Sequence, residues 1–197
     1  MLYTYNSWVT SKTANGVIIS TDKICIRMAL TGETRQIGDG YGNYDTFQPS
    51  FVTLNDALTD FDGNTNTRFI LSENGRRSIQ GDTATYAAPY AKGYVFPDGI
   101  TTNGYILSVG QWSEVFTYGE EVCRCLTKVG GLNIVRSNWA STYYRGHSAY
   151  PIYYWATLNS SYVSSYQAHA GYRGIDGLNT STRPCTDYTN KNPIIIK

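Results

Sequence analysis

The chain has 197 residues, of which 41% are hydrophobic and only 16% charged, with a formal net charge of +1. That length suits one domain that can bury a core without obligatory disulfides or metals. Its 18 tyrosines argue against disorder, the lack of any apolar run near the roughly 20 residues of a membrane span argues against insertion, and the balanced charge offers no electrostatic basis for nucleic-acid binding.

Met1 to Gly16 is polar and without a clear period, and reads as an arm or linker, or an oligomer contact, ahead of a domain spanning 17–197. It has no apolar stretch of the kind a secretory signal needs. The expectation is a protein that acts without classical export, as a virion component would, or an excised domain. Val17 to Leu30 holds two apolar runs separated by Ser20-Thr21-Asp22-Lys23, which predicts a β-hairpin. Gly32 to Pro49 reads as loop. Thr53 to Leu58 reads as a short helix, Asp60 to Gly63 as a turn, and Asn66 or Thr67 as the cap of a helix over Arg68 to Glu73. Thr83 to Lys92 has alanines at helical spacing, interrupted by Pro89.

Ser108-Val109-Gly110-Gln111 has capping-box spacing and opens a helix carrying Trp112, Val115 and Phe116. A second helical piece, Glu120 to Val129, puts Val122, Cys125, Leu126 and Val129 on one face and ends at Gly130-Gly131. Cys123 and Cys125 point apart on such a helix, so they do not bond to each other. The four cysteines are either reduced, partly buried thiols or include a Cys25–Cys185 bridge. Beyond Gly131 the expected strands are Tyr153–Leu158, Tyr162–Tyr172 and Thr182–Tyr188, with Pro193–Ile196 as a further edge strand. The order of strands, helices and strands is an α+β arrangement.

Five motifs in this order resemble a domain family of gut Bacteroidetes related to the Fibrobacter succinogenes major-paralogous domains. Asp60-Phe61-Asp62-Gly63-Asn64-Thr65-Asn66-Thr67 resembles its D-F-D-G-x-x-N-T signature. Leu107 to Trp112 resembles L-P-S-x-G-E-W, with the Pro lost and Glu changed to Gln. Gly130-Gly131, Tyr154-Trp155-Ala156-Thr157 and Thr182-Arg183-Pro184 are similar to G-G, Y-W-S-S-T and V-R-P. The resemblance implies a C-type-lectin-like fold, with helices packed on small antiparallel sheets, chain ends paired, and loops and late strands forming a binding face. The motifs themselves read as structural. Trp112 and Trp155 are expected to be core anchors, each ring removing about 150–250 Å² from water.

Between Lys128 and Lys191 lie 62 residues without a single Lys, Glu or Met, and with nine Tyr and eight Ser. Codons for those three missing residues end in a purine. Randomising the first two bases of an AAC or AAT codon always leaves a pyrimidine at the end. Only Trp139, Trp155 and Gln167 in the window fall outside the set such mutagenesis produces. The pattern matches adenine-directed diversification by a retroelement, whose target proteins often end in a C-type-lectin-like domain. A β-rich, Tyr- and Ser-rich segment poor in long charged side chains also explains it.

The window's chemistry suits binding. Tyr offers a large rigid contact area at low entropic cost, and Ser and Gly let loops adapt. The run Tyr143-Tyr144-Arg145-Gly146-His147-Ser148-Ala149-Tyr150 places rings beside polar donors. Arg145 and Arg173 suit forked hydrogen bonds to a carboxylate or sugar hydroxyls. If Trp155 points inward, alternation turns Tyr154 outward. In Tyr166 to Ala170, Gln167 and His169 share one face, with alanines on the other. The candidate ligand-binding residues are Asn138, Tyr143, Tyr144, Arg145, His147, Tyr150, Tyr153, Tyr162, Ser164, Gln167, His169 and Arg173.

Enzymatic readings are weaker. The two histidines, His147 and His169, have no nucleophile elbow near them, and Asp60 and Asp62 are better explained by a turn than as a glycosidase pair. The calcium motifs E-P-N and W-N-D of sugar-binding C-type lectins are not in the sequence. The expectation is a non-enzymatic receptor-binding or adhesion domain, displayed on a phage tail or bacterial surface, with no cofactor and no metal. Its partner would be a host surface protein or glycan, not nucleic acid and not the membrane interior, and a homo-oligomer such as a trimer is compatible. The alternative is a virion or pilus assembly subunit whose Tyr-rich face is a subunit interface.

Overall fold

Alternating apolar residues on either side of a short polar turn build the first sheet. The computed structural model describes residues 14–37, 50–51, 53–72, 81–97, 103–134, 137–144, 152–157 and 180–189. Strands β1 (Val17–Ser20) and β2 (Cys25–Met28) form the expected hairpin, in register Val17↔Met28 to Ser20↔Cys25. Thr21 Oγ1 accepts from the Lys23 and Ile24 amides and so fixes the turn. Ile19, Ile26 and Met28 face the core and are fully buried.

The segment 32–49 is not all loop. Glu33–Arg35 forms β3, paired antiparallel with β7 (Thr180–Thr182). Glu-Thr-Arg has no apolar alternation, so a strand that exists through its partner escaped the pattern. Its charged residues suit an edge. A two-residue strand, β4 (Ser50–Phe51), follows, then α1 (Leu54–Ala57), with the Asp56 amide bonded to Thr53 Oγ1.

Helix α2 (Gly63–Ile70) starts five residues before the expected helix. Asp62, not Asn66 or Thr67, is the N-cap and accepts from the Thr65 amide at 3.0 Å. Asn66 and Thr67 lie inside the helix, buried. Helix α3 (Ala87–Gly93) keeps Pro89 in its first turn, where a missing N–H breaks no intrahelical bond. Helix α4 (Val109–Thr117) has the capping box of Ser108 and Gln111. Helix α5 (Gly119–Lys128) buries Val122, Cys125 and Leu126 as expected. It ends in a Schellman motif: Gly131 N bonds Leu126 O at 2.8 Å and Gly130 N bonds Thr127 O at 3.2 Å, with Gly130 at φ +75°.

Strand β5 (Ser137–Tyr144) was not anticipated, because its mixed sequence does not alternate and residues 138–143 are buried on both faces. Strand β6 (Ile152–Thr157) lies antiparallel to it. The expected strand Thr182–Tyr188 is broken at Arg183-Pro184 into β7 and β8 (Cys185–Asp187), which belong to different sheets.

The first sheet has the order β1-β2-β8, so strands from near the two ends of the chain pair in it. In the second, β5 is the hub. Strand β6 occupies one edge, while parallel β7 and β4 share the other, opposite Asn138 and opposite Tyr143–Tyr144 respectively. Ala140 joins a large cluster with Trp112, Phe116, Ile19 and Leu126. Trp139 and Tyr143 join a second cluster with Ile37, Ile70 and the alanines of α3. Trp112 is the expected anchor: fully buried, stacked on Phe116 at 5.2 Å, and bonded through its indole N–H to Trp139 O. Trp155 sits opposite Trp139 in register.

All four cysteines are free, so the bridge between Cys25 and Cys185 is not made. Cys25 pairs with Ser20 at one end of β2, and Cys185 is opposite Met28 at the other. Three residues of strand separate them by about 10 Å, too far for a disulfide.

Candidate functional site

A buried polar network fixes β5, the first strand of the Tyr-rich window. The Asp60 carboxylate accepts from Thr142 Oγ1 (2.6 Å), Asn66 Nδ2 (2.8 Å) and the Asp62 amide (3.1 Å). Thr142 Oγ1 in turn accepts from the Val109 amide at 2.8 Å, at the start of α4. Ser108 Oγ donates to Asp60 O at 2.6 Å. Gln111 Oε1 accepts from the Ser108 and Gly63 amides. A side chain at Gly63 would run into Gln111 and the Ile106 carbonyl, which explains why glycine follows Asp62. The network locks the starts of α2 and α4 to the middle of β5.

This rigid strand holds the first candidate residues, and it corrects two of them. Asn138 is fully buried and Tyr143 is 7% exposed. Both were expected on the binding face. With a helix-backed cluster on each side of β5, neither faces solvent. The backbone of Tyr144 closes β5 and that of Tyr153 lies in β6, opposite Tyr143. Arg145, His147, Tyr150, Tyr162, Ser164, Gln167, His169 and Arg173 lie outside the described residues.

The strand register still shows where the window's segments are rooted. Tyr144 pairs with Ile152, so the connection through 145–151 leaves and returns at one end of the β5–β6 ribbon. Thr157 pairs with Ser137, and Asn138 with Ser181, so the connection through 158–179 is rooted at the other end. Six residues of β6 put those ends roughly 17 Å apart. The anchors are not brought together.

A second group of residues closes the corner where the chain crosses between sheets. Arg183, 2% exposed, donates through Nη1 to Ala29 O and Leu30 O and through Nη2 to Asn133 O. Burial lowers its pKa. It therefore ties the turn after β2 and the turn after α5 to the β7–β8 corner. Nearby, Arg27 stacks on Phe96 at 3.9 Å and Arg35 on Tyr90 at 4.7 Å, with Tyr90, Tyr94 and Phe96 packed edge to face between them.

Burial pushes the Cys185 and Cys125 thiols up, which makes them weaker nucleophiles. It also raises Tyr105, whose hydroxyl donates to Asp187 Oδ1 at 2.7 Å. Among the described residues no group of three or more His, Cys, Asp or Glu side chains is placed to hold a metal ion, and no helix is long and apolar enough to cross a membrane. Thr142 was missed by sequence reasoning. The only hint was a hydroxyl in a run flanked by Trp and Tyr, a pattern equally consistent with a solvent-facing strand. Compared with known proteins, the chain matches no family model, no curated protein and no solved structure.

Proposed function

We propose that the protein is a non-enzymatic binding domain of C-type-lectin-like type, displayed on a phage tail or bacterial surface. It recognises a host surface protein or glycan through its Tyr-rich C-terminal window. The observation that carries this reading is the 62-residue stretch without Lys, Glu or Met, in the same place as nine tyrosines and eight serines. Diversification by a retroelement accounts for both features. The burial of β5 narrows the reading: exchanges at Asn138, Thr142 or Tyr143 fall in packed interior, so variation would be carried by 145–151 and 158–179.

Sequencing the DNA around the coding region tests the diversified form. A near-identical template repeat and a reverse transcriptase gene are expected, with differences between the two copies confined to adenine positions outside the β5 codons. Absence of both elements removes the genetic reading. Binding itself is tested with a glycan array and a cell-surface screen, using Tyr144→Ala with Tyr150→Ala. Loss of binding at unchanged melting temperature supports the assignment. An oligomer that dissociates in that variant, with no surface binding in either form, favours an assembly subunit instead.

A further inference from the structure

The chain contains the dipeptide Asn-Gly at 15–16, 74–75 and 103–104. The third has features that single it out chemically. Asn103 is exposed, on the approach to the buried Tyr105. Its side-chain carbonyl, Oδ1, accepts a hydrogen bond from Lys92 Nζ at 2.8 Å. Gly104 is buried but has no side chain between its amide and Asn103, and among the described residues that amide makes no hydrogen bond. An electrophilic carbon polarised by an ammonium thus neighbours a main-chain nitrogen that is packed but makes no hydrogen bond among the described residues.

We propose that Asn103 is a site of spontaneous deamidation, promoted by the hydrogen bond from Lys92. The Gly104 nitrogen gives up its proton to solvent base and attacks Cγ of Asn103. A Gly104 N–Cγ bond forms, the Cγ–Nδ2 bond breaks, and Nδ2 takes a proton and leaves as ammonia. The product is a five-membered succinimide, and nothing is oxidised or reduced. Charge on the carbonyl oxygen builds up as the nitrogen adds, and the ammonium stabilises it. Water then opens the ring. Cleavage at Cγ gives aspartate, and cleavage at the main-chain carbonyl gives isoaspartate.

The surroundings bias both the product and its effect. Gly104 is buried so closely against the Ala91 carbonyl that even a Cβ would run into it. Isoaspartate adds a methylene to the main chain at this contact, so aspartate is the product the fold accepts. The same packing makes the reaction slower than in an unfolded peptide. The new carboxylate lies beside Lys92, whose pKa is lowered by burial and then by the charge of Arg68. An anion at 103 opposes that second effect and converts an ammonium–amide hydrogen bond into an ion pair. It also removes the chain's formal charge of +1.

The test is to hold the full folded protein in mildly alkaline buffer and follow the peptide containing residue 103 by mass spectrometry. Conversion is expected mainly to aspartate. It should be several-fold slower in Lys92→Met and restored towards the parental rate in Lys92→Arg, with circular dichroism confirming that each variant is folded. An excess of isoaspartate in urea but not in the folded protein is the accompanying sign. The proposal is overturned if Lys92→Met converts as fast as the parent, or if residue 103 stays unchanged while another Asn-Gly site converts.

Discussion

Replacing Thr142 by Val removes one hydroxyl and keeps nearly the same shape. That hydroxyl donates to the Asp60 carboxylate at 2.6 Å and accepts from the Val109 amide at 2.8 Å. Thr142 is fully buried and Asp60 is 5% exposed, so water does not readily replace either bond. A hydrogen bond to a charged group contributes about 1.5–3 kcal/mol, and an orphaned buried donor costs about 1–3 kcal/mol. After a small gain from the added methyl, the net loss is about 2–4 kcal/mol. For a domain of this size a loss of about 3 kcal/mol lowers Tm by roughly 6–12 °C. Thr142→Ser keeps both bonds and loses one methyl, about 1 kcal/mol. Urea unfolding followed by tryptophan fluorescence measures both variants. A double-mutant cycle with Asp60→Asn isolates the pairwise energy. If Thr142→Val is no more destabilising than Thr142→Ser, or the cycle shows no coupling, the network does not fix β5 as argued.

Other consequences can be checked in the same preparations. Arg183→Lys keeps a cation but cannot reach three carbonyls, so a loss of about 2–3 kcal/mol in urea unfolding is expected; no change would mean the corner holds without it. Asp62→Ala removes the cap of α2 and should cost about 1 kcal/mol, against a smaller loss for Asp62→Asn. In thiol labelling of the native protein, exposed Cys25 should react first and Cys185 only on unfolding. Spectrophotometric titration should show Tyr90 ionising near pH 12, displaced from 10.0 chiefly by burial. Because the folded pKa is the higher one, this group's contribution to stability is intact below pH 10 and lost as pH rises from there through about 12. Ionisation at an ordinary tyrosine pKa in the native state would contradict its packing.

Local chemistry made the helices legible. The capping box at Ser108 and Gln111, the apolar face of α5 and the stop at Gly130-Gly131 each need only a few neighbouring residues, and each is present. The hairpin was legible for the same reason. What escaped depends on distant partners. Strand β3 exists because β7 pairs with it. Strand β5 hides its polarity by giving Thr142 a buried carboxylate from another element. Asn138 and Tyr143 were misread as surface because residues that suit a binding loop also suit a core strand once helices cover both its faces. At α2 the error was one of position: five side chains in Asp62 to Thr67 are of capping type, and packing against Gln111 and Ile106 selects the first.

The corner at Arg183-Pro184 has a consequence for length as well as for sequence. Residues 158–179 return to the five-stranded sheet at β7, and by carrying the chain on into β8 the corner ties that far anchor to the three-stranded sheet as well. Their two anchors, Thr157 and Thr180, are set by strands on either side of β5, about 10 Å apart. A segment closed between fixed points loses little when lengthened, because each doubling costs only about 0.6 kcal/mol of closure entropy. Closure between these two anchors therefore sets only a weak entropic limit on the length of the connection.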